Sequence, residues 1–516
     1  MPVQRPEVAP FSEQNLYKAL ENRFASAAEI GGHQHAAYLY AYLKQLGAKT
    51  LIVEDPYVDA DYLDDFAVYY SKCFTPYDRW CKRLHFFTTQ FTRDELLKCV
   101  DGSSPATDLQ ASYLGFIVAR PLPQTVIGRT VLRTYDGDNG RRHFPAVAEH
   151  RANLFGIDLS VKSLPFQEQD QVLAACATVA LWSCFQKTAD LFGGSTPTPS
   201  AITRSASQVF HHGRPIPSQG LSVEEICSAI RHVGLEPELV DLRTARPPLF
   251  SLIYGYLEMG VPVALVVLIE GIGFHAITLT GYSVQATAQR TVELPGAPPV
   301  PMKGLRIDKF YGHDDQIGPF SRVIIKQSPP GAPYPIQFET SWLNKTTGQP
   351  RPVYPSAVVA PVYNKIRLKF LDVMEWVTRL HGLIDGMLPP TVPREWDVHL
   401  CFSNDFKAIL RSDVGVPRAI IENLLLAHHP RFWWRAKLSF GGRELLELLF
   451  DATGIARSFP LQVAIWRDDS FALALKRELD DAAKRPVILD ILTTERFLEF
   501  LRKSIDCRFE PATLLP

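Results

Sequence analysis

The feature that most constrains this chain is an uncharged run of fourteen residues, Val172 to Phe185. It is entered abruptly from the polar stretch Gln167-Glu168-Gln169-Asp170-Gln171. Ala, Leu and Cys dominate the run, which suits a helix, and without a charged face that helix must be buried. The run falls short of the roughly 20 residues that span a bilayer. We expect the helix to begin between Val172 and Ala175, which places Cys176 in its first turn. Backbone N–H groups lack helical partners there, and the positive end of the helix dipole favours thiolate over thiol. The glutamines just upstream, Gln167, Gln169 and Gln171, are placed to offer an amide donor to an oxyanion.

A thiol nucleophile needs a base and a group to orient that base. Two β-rich runs, Val261 to Ile269 and Phe274 to Tyr282, flank Glu270-Gly271-Ile272-Gly273, whose glycines suit a hairpin turn. His275 comes at the start of the second run. After a Pro-rich interruption from Leu294 to Met302, LRIDKFYGHDDQIGPF reads as a strand ending in Asp314-Asp315 and a Gly-Pro turn.

Cys on a helix, His opening a strand and Asp closing the next strand is an ordered set. By it, residues 164 to 325 resemble the papain-like cysteine peptidases, and among them the bacterial bacteriocin-leader peptidase branch. The resemblance implies an α+β fold with Cys at a helix N-terminus and His and Asp on antiparallel strands. It implies a Cys176–His275–Asp314 triad with Gln169 as oxyanion donor, and no metal or organic cofactor. Gln169 lies seven residues before Cys176 where about six is usual, and one inserted loop residue would restore its place; Gln167 and Gln171 are the alternatives. Ala175-Cys176-Ala177 stands where Asp-Cys-Gly is usual. The 39-residue step from His275 to Asp314 is long, and we assign its excess to the Pro-rich insertion. Asp315 is the alternative to Asp314, since alternation along a strand lets only one of them face the imidazole.

The function expected from these residues is thiolate attack on a peptide or isopeptide carbonyl. A peptidase-like scaffold that only binds a partner is the alternative, and a deamidase or transglutaminase would use the same side chains. Length allows two to four domains in 516 residues. We expect an N-terminal α/β domain over 1–155, the peptidase-like domain over 156–387, and, after the linker LPPTVPREW, a C-terminal α/β domain over 394–516 that binds a partner. Lys plus Arg (54) nearly cancels Asp plus Glu (55), so no global field draws nucleic acid or anionic membrane. Eight cysteines without CxxC spacing read as free thiols, and the N-terminus lacks the apolar core of a signal peptide; both fit a cytoplasmic protein.

Other segments carry weaker chemistry. EDPYVDADYLDDF reads as a loop and helix start, with Asp61 near the N-cap and Asp64 and Asp65 in the first turn, rather than as a metal site. His33 and His35 are two apart and cannot share a helix face as ligands. RFWWR at 431–435 reads as packing or interface rather than a base-stacking platform. Ser222-Val223-Glu224-Glu225 is a capping-box signature opening a helix over Val223–His232. Ala201–Phe210 reads as a helix ended by His211-His212, Val353–Val362 as an edge strand, Trp396–Ile409 as β-rich and Glu444–Thr453 as helical.

Overall fold

Alternation along the strand Thr50–Tyr57 builds the first layer of this mixed α and β protein. In the computed structural model, Leu51 and Val53 join Leu84, Phe86, Ile117 and Leu132 on one side. Leu16 and Leu20 of helix Glu13–Leu20 and Leu39 and Leu43 of helix Gln34–Gln45 cover them. Ile52, Phe87, Phe116 and Val131 point to the other side, against Tyr62, Leu96, Leu159 and Val161. The five strands run in the order Glu7–Pro10, Thr50–Tyr57, Cys81–Phe87, Tyr113–Ala119, Ile127–Leu132, each antiparallel to the next. Each large apolar side chain so buried contributes roughly 1.5–3 kcal/mol. The structure describes residues 6–170, 175–208, 220–291, 293, 296–297, 299–332, 334–344, 347–454 and 459–507. Gln171 and the Phe210 to His212 helix end lie outside them.

By its contacts the chain forms two compact units. One comprises 1–241, 260–283 and 309–361; the other comprises 242–259, 284–308 and 362–516. The N-terminal segment and the Cys176 segment therefore share a unit. The Pro-rich stretch that lengthens the His275 to Asp314 step belongs to the other unit, as an excursion of the chain between two neighbouring strands.

The first unit also contains a closed ring of strands. Val263–Ile269 pairs with Gly273–Val284 on one side and Val353–Tyr363 on the other. Ile307–Asp314, Gly318–Gln327 and Ile336–Glu339 complete the circuit. Val353–Tyr363 is thus no edge strand: its apolar residues are buried and it is paired along both sides. Its Pro355 sits at a register shift opposite Val267, where a missing N–H is tolerated. The hairpin before His275 turns through Gly271 and Gly273, at φ of 74° and 122°.

Against this ring lies helix Cys176–Phe192, one residue later than expected, with Ala175 as N-cap. Its Ala177, Ala180, Leu181 and Cys184 meet Ala264, Val266, Ala276, Ala357 and Val359. Small side chains on both surfaces bring the backbones close, and Thr278 Oγ1 donates to the Ala180 carbonyl across 2.8 Å. The capping box of Ser222 and Glu225 is formed, and its helix runs Val223–His232 as expected.

Three local expectations need correction. Asp59 caps helix Ala60–Val68, accepting from the Tyr62 N–H, so Asp61 is near the cap as expected but Asp64 and Asp65 fall beyond the first turn. Asp61 is buried beside Arg129 (2.6 Å) and Trp182 Nε1 (3.1 Å), partners distant in sequence. Glu444 to Asp451 of the stretch expected as helix lies in the strand Arg443–Asp451. Its leucines fit a helical period, but pairing with Phe432–Phe440 and Leu461–Trp466 overrides propensity. The β-rich stretch from Trp396 ends at Phe402, and Ser403–Arg411 is helix. RFWWR forms part of the same four-stranded sheet. Trp433 and Trp434 are 1% and 0% exposed, so neither presents a face to a base. Among the described residues no helix is long and apolar enough to cross a membrane.

Candidate active site

Cys176 is the first residue of its helix and is half-buried. The N–H groups of the first turn, Cys176 included, point out of the helix end without intrahelical acceptors. His275, the third residue of strand Gly273–Val284, is buried. Its Nε2 lies 3.0 Å from Oδ1 of Asp314, at the end of the neighbouring strand Ile307–Asp314. The Cys176 side chain is among the groups that favour a proton on the imidazole. With Nε2 committed to the carboxylate, Nδ1 is the nitrogen left to serve the sulfur.

Asp315 approaches the same Nε2, at 3.3 Å. The expectation that only one aspartate would face the ring fails because the strand ends at Asp314, and the chain turns before alternation applies again. The two carboxylates are not equivalent. Asp314 Oδ1 also accepts from the Gln316 N–H at 3.0 Å, and its Oδ2 accepts from Trp342 Nε1 at 2.7 Å. Neither oxygen of Asp315 receives a well-formed hydrogen bond among the described residues.

These environments set the charges. Burial works against a proton on His275, but the charges of Asp314 and Asp315 outweigh it, helped by the bond to Asp314 and by the Cys176 side chain. The imidazole is held well above its ordinary value. Burial would likewise raise Asp314, yet the His275 charge and then bonds from His275, Trp342 and Gln316 hold it below the usual carboxylate range. Burial dominates at Asp315, and with the Asp314 charge beside it the carboxyl is pushed up to about 6.

No protein-family model and no curated protein matches this sequence.

The site must therefore be read from its own geometry. His275, Asp314 and Asp315 present donor atoms within 4.8 Å of one another, the one such group among the described residues that could hold a metal ion. A metal there would need the Nε2 lone pair, whereas a proton on Nε2 satisfies Asp314 directly. A bond from imidazole to carboxylate accounts for the spacing. Gln169 lies half-buried on the approach to the helix, and Gln167 is buried. Among the described residues the Gln169 amide makes no hydrogen bond to Cys176, His275 or Asp314.

Sequence reasoning missed two contributors. Trp342 stacks edge-on against His275, with ring centroids 5.1 Å apart, while donating to Asp314. It follows strand Ile336–Glu339 in a Pro- and Gly-rich stretch that carries no motif. Glu168 was passed over as one of a polar run, although its side chain is buried.

Proposed function

We propose that this protein is a cysteine-dependent acyl-transfer enzyme, a peptidase of papain-like architecture, acting through Cys176, His275 and Asp314. The observation that carries this reading is a buried imidazole, His275, held through Nε2 by the buried Asp314, with a half-buried thiol at a helix N-terminus among the groups that favour its proton. A helix end set against a closed ring of strands, with His and Asp on adjacent strands, supports the architectural part.

In the reaction His275 takes the thiol proton, giving a thiolate–imidazolium pair. The sulfur attacks the carbonyl carbon, and the π electrons move to oxygen. The resulting oxyanion lies at the helix end, where the Cys176 N–H and an upstream amide, Gln169 in our assignment, donate to it. As the oxyanion collapses, the C–N bond breaks and imidazolium Nδ1–H protonates the departing amine, leaving a thioester. Neutral His275 then takes a proton from water, which attacks the thioester, and the departing thiolate again pairs with imidazolium. Asp314 stays ionised and fixes the ring tautomer throughout.

The first test needs no substrate. Iodoacetamide labelling at about pH 6, resolved by peptide, is expected to modify Cys176 before Cys227 or Cys401. Burial raises both comparison thiols, Cys401 to about 12. Labelling of Cys176 no faster than of those two would leave only the scaffold reading.

A further inference from the structure

The line of charged groups at the site does not end at Asp315. The Asp315 backbone carbonyl lies 2.7 Å from Nε2 of His35, the second residue of helix Gln34–Gln45. The other ring nitrogen of His35, Nδ1, lies 3.0 Å from Oε1 of Glu168. A carbonyl oxygen and a carboxylate oxygen can only accept, so both nitrogens of His35 must donate, and the ring that satisfies both is an imidazolium. Glu168 is itself anchored: its Oε2 accepts from the Ile127 N–H at 3.1 Å, and Arg120 donates to its carbonyl at 3.0 Å. One turn further along the same helix, Tyr38 donates to the Pro319 carbonyl at 2.7 Å. Helix Gln34–Gln45 therefore grips the turn that follows Asp314 at two points.

Charges alternate along this line: Glu168 negative, His35 positive, Asp315 negative, His275 positive. The charged groups facing Asp315 are His275 from one strand, Asp314 beside it in sequence, and His35 from the helix, with the uncharged Gln316 side chain next to it. Those facing His35 are Glu168 and Asp315. A buried carboxylate without a well-formed hydrogen bond survives ionised only where cations flank it. His35 is one of two such cations.

We infer that His35, held as an imidazolium by Glu168, is a positioning residue for His275: it fixes the Asp314-Asp315 turn and keeps Asp315 ionised. The N-terminal region is then part of the catalytic apparatus rather than an accessory domain. This deepens the peptidase reading and rests on it for its catalytic meaning, but the electrostatic coupling can be measured apart from activity. Burial opposes the proton on His35, yet the Glu168 charge and bonds to Glu168 and Asp315 outweigh it, which agrees with the donor count.

The test is His35→Gln and Glu168→Gln in the full chain, with Tyr38→Phe as a variant that loses a contact of the same helix but no charge. The His275 ring is followed by NMR titration of labelled histidine, assigned by loss of its signal in His275→Gln. Losing the His35 charge returns a proton to Asp315 and weakens the hold on the His275 proton. The His275 midpoint is expected to fall by about one pH unit or more in both glutamine variants and to stay in place in Tyr38→Phe. In the same proteins the midpoint of Cys176 alkylation by iodoacetamide is expected to move upward. An unmoved His275 midpoint in a folded glutamine variant overturns the inference. Should His35→Gln not fold, Glu168→Gln alone decides. If the midpoint moves but Cys176 is not selectively alkylated in the unmodified protein, the coupling stands and the peptidase reading falls.

Discussion

Trp342→Phe isolates one hydrogen bond of the site. The indole Nε1–H donates to Asp314 Oδ2 across 2.7 Å, whereas the other partners, His275 and the Gln316 N–H, both lie on Oδ1 at 3.0 Å. Phenylalanine keeps an aromatic ring toward His275 and deletes the donor. A hydrogen bond to an ionised group contributes about 1.5–3 kcal/mol, so stripping Oδ2 of its donor should cost about 2 kcal/mol. The sign with pH follows from Asp314. Its folded-state pKa is depressed, so the stability it contributes is present above the unfolded value and is lost as pH falls through the folded one. The penalty should be full near neutrality and shrink on acidification. A chain with two compact units does not unfold in one two-state step, so the assay is peptide-resolved hydrogen exchange. At about pH 7, 2 kcal/mol corresponds to roughly 30-fold faster exchange in strands Gly273–Val284 and Ile307–Asp314, relative to the unmodified protein at the same pH. A ratio below about threefold, or one that does not fall as pH drops below the ordinary carboxylate range, would mean that Trp342 only fills space and that the carboxylate is held by other means.

Two further outcomes are expected. Gln169→Ala should lower turnover of a peptide substrate by about 100-fold while leaving Cys176 alkylation unchanged; if Gln167→Ala or Gln171→Ala produces that loss instead, the oxyanion donor is reassigned. Gly318→Ala should cost about 3 kcal/mol or more, because φ is 154° and a Cβ would sit 2.2 Å from the Tyr38 ring. Unchanged exchange in helix Gln34–Gln45 of that variant would show that the helix does not press on the turn as described.

The chain by itself determined what depends on neighbours in sequence. The start of the Cys176 helix is legible within a residue or so because an uncharged run follows polar residues. The hairpin before His275 is legible because two glycines sit where positive φ is required. The helix from Val223 is legible because Ser222 and Glu225 satisfy each other's backbone donors. The order of Cys176, His275 and Asp314 could be read as well, since each ends or begins such an element.

What only the tertiary structure decided depends on partners far along the chain. Glu444 to Asp451 became strand because two flanking strands offered hydrogen bonds that its leucine spacing could not announce. Asp61, near the N-cap as its sequence position suggests, is bonded by Arg129 and Trp182 from far along the chain, and both Asp314 and Asp315 reached His275 because the chain turned between them. His35 and Glu168 are separated by more than a hundred residues, and neither belongs to a local pattern. Their relation exists only once the helix and the strand end share a buried boundary. In that low-dielectric setting an unpaired charge is costly, and the fold places charges of opposite sign side by side.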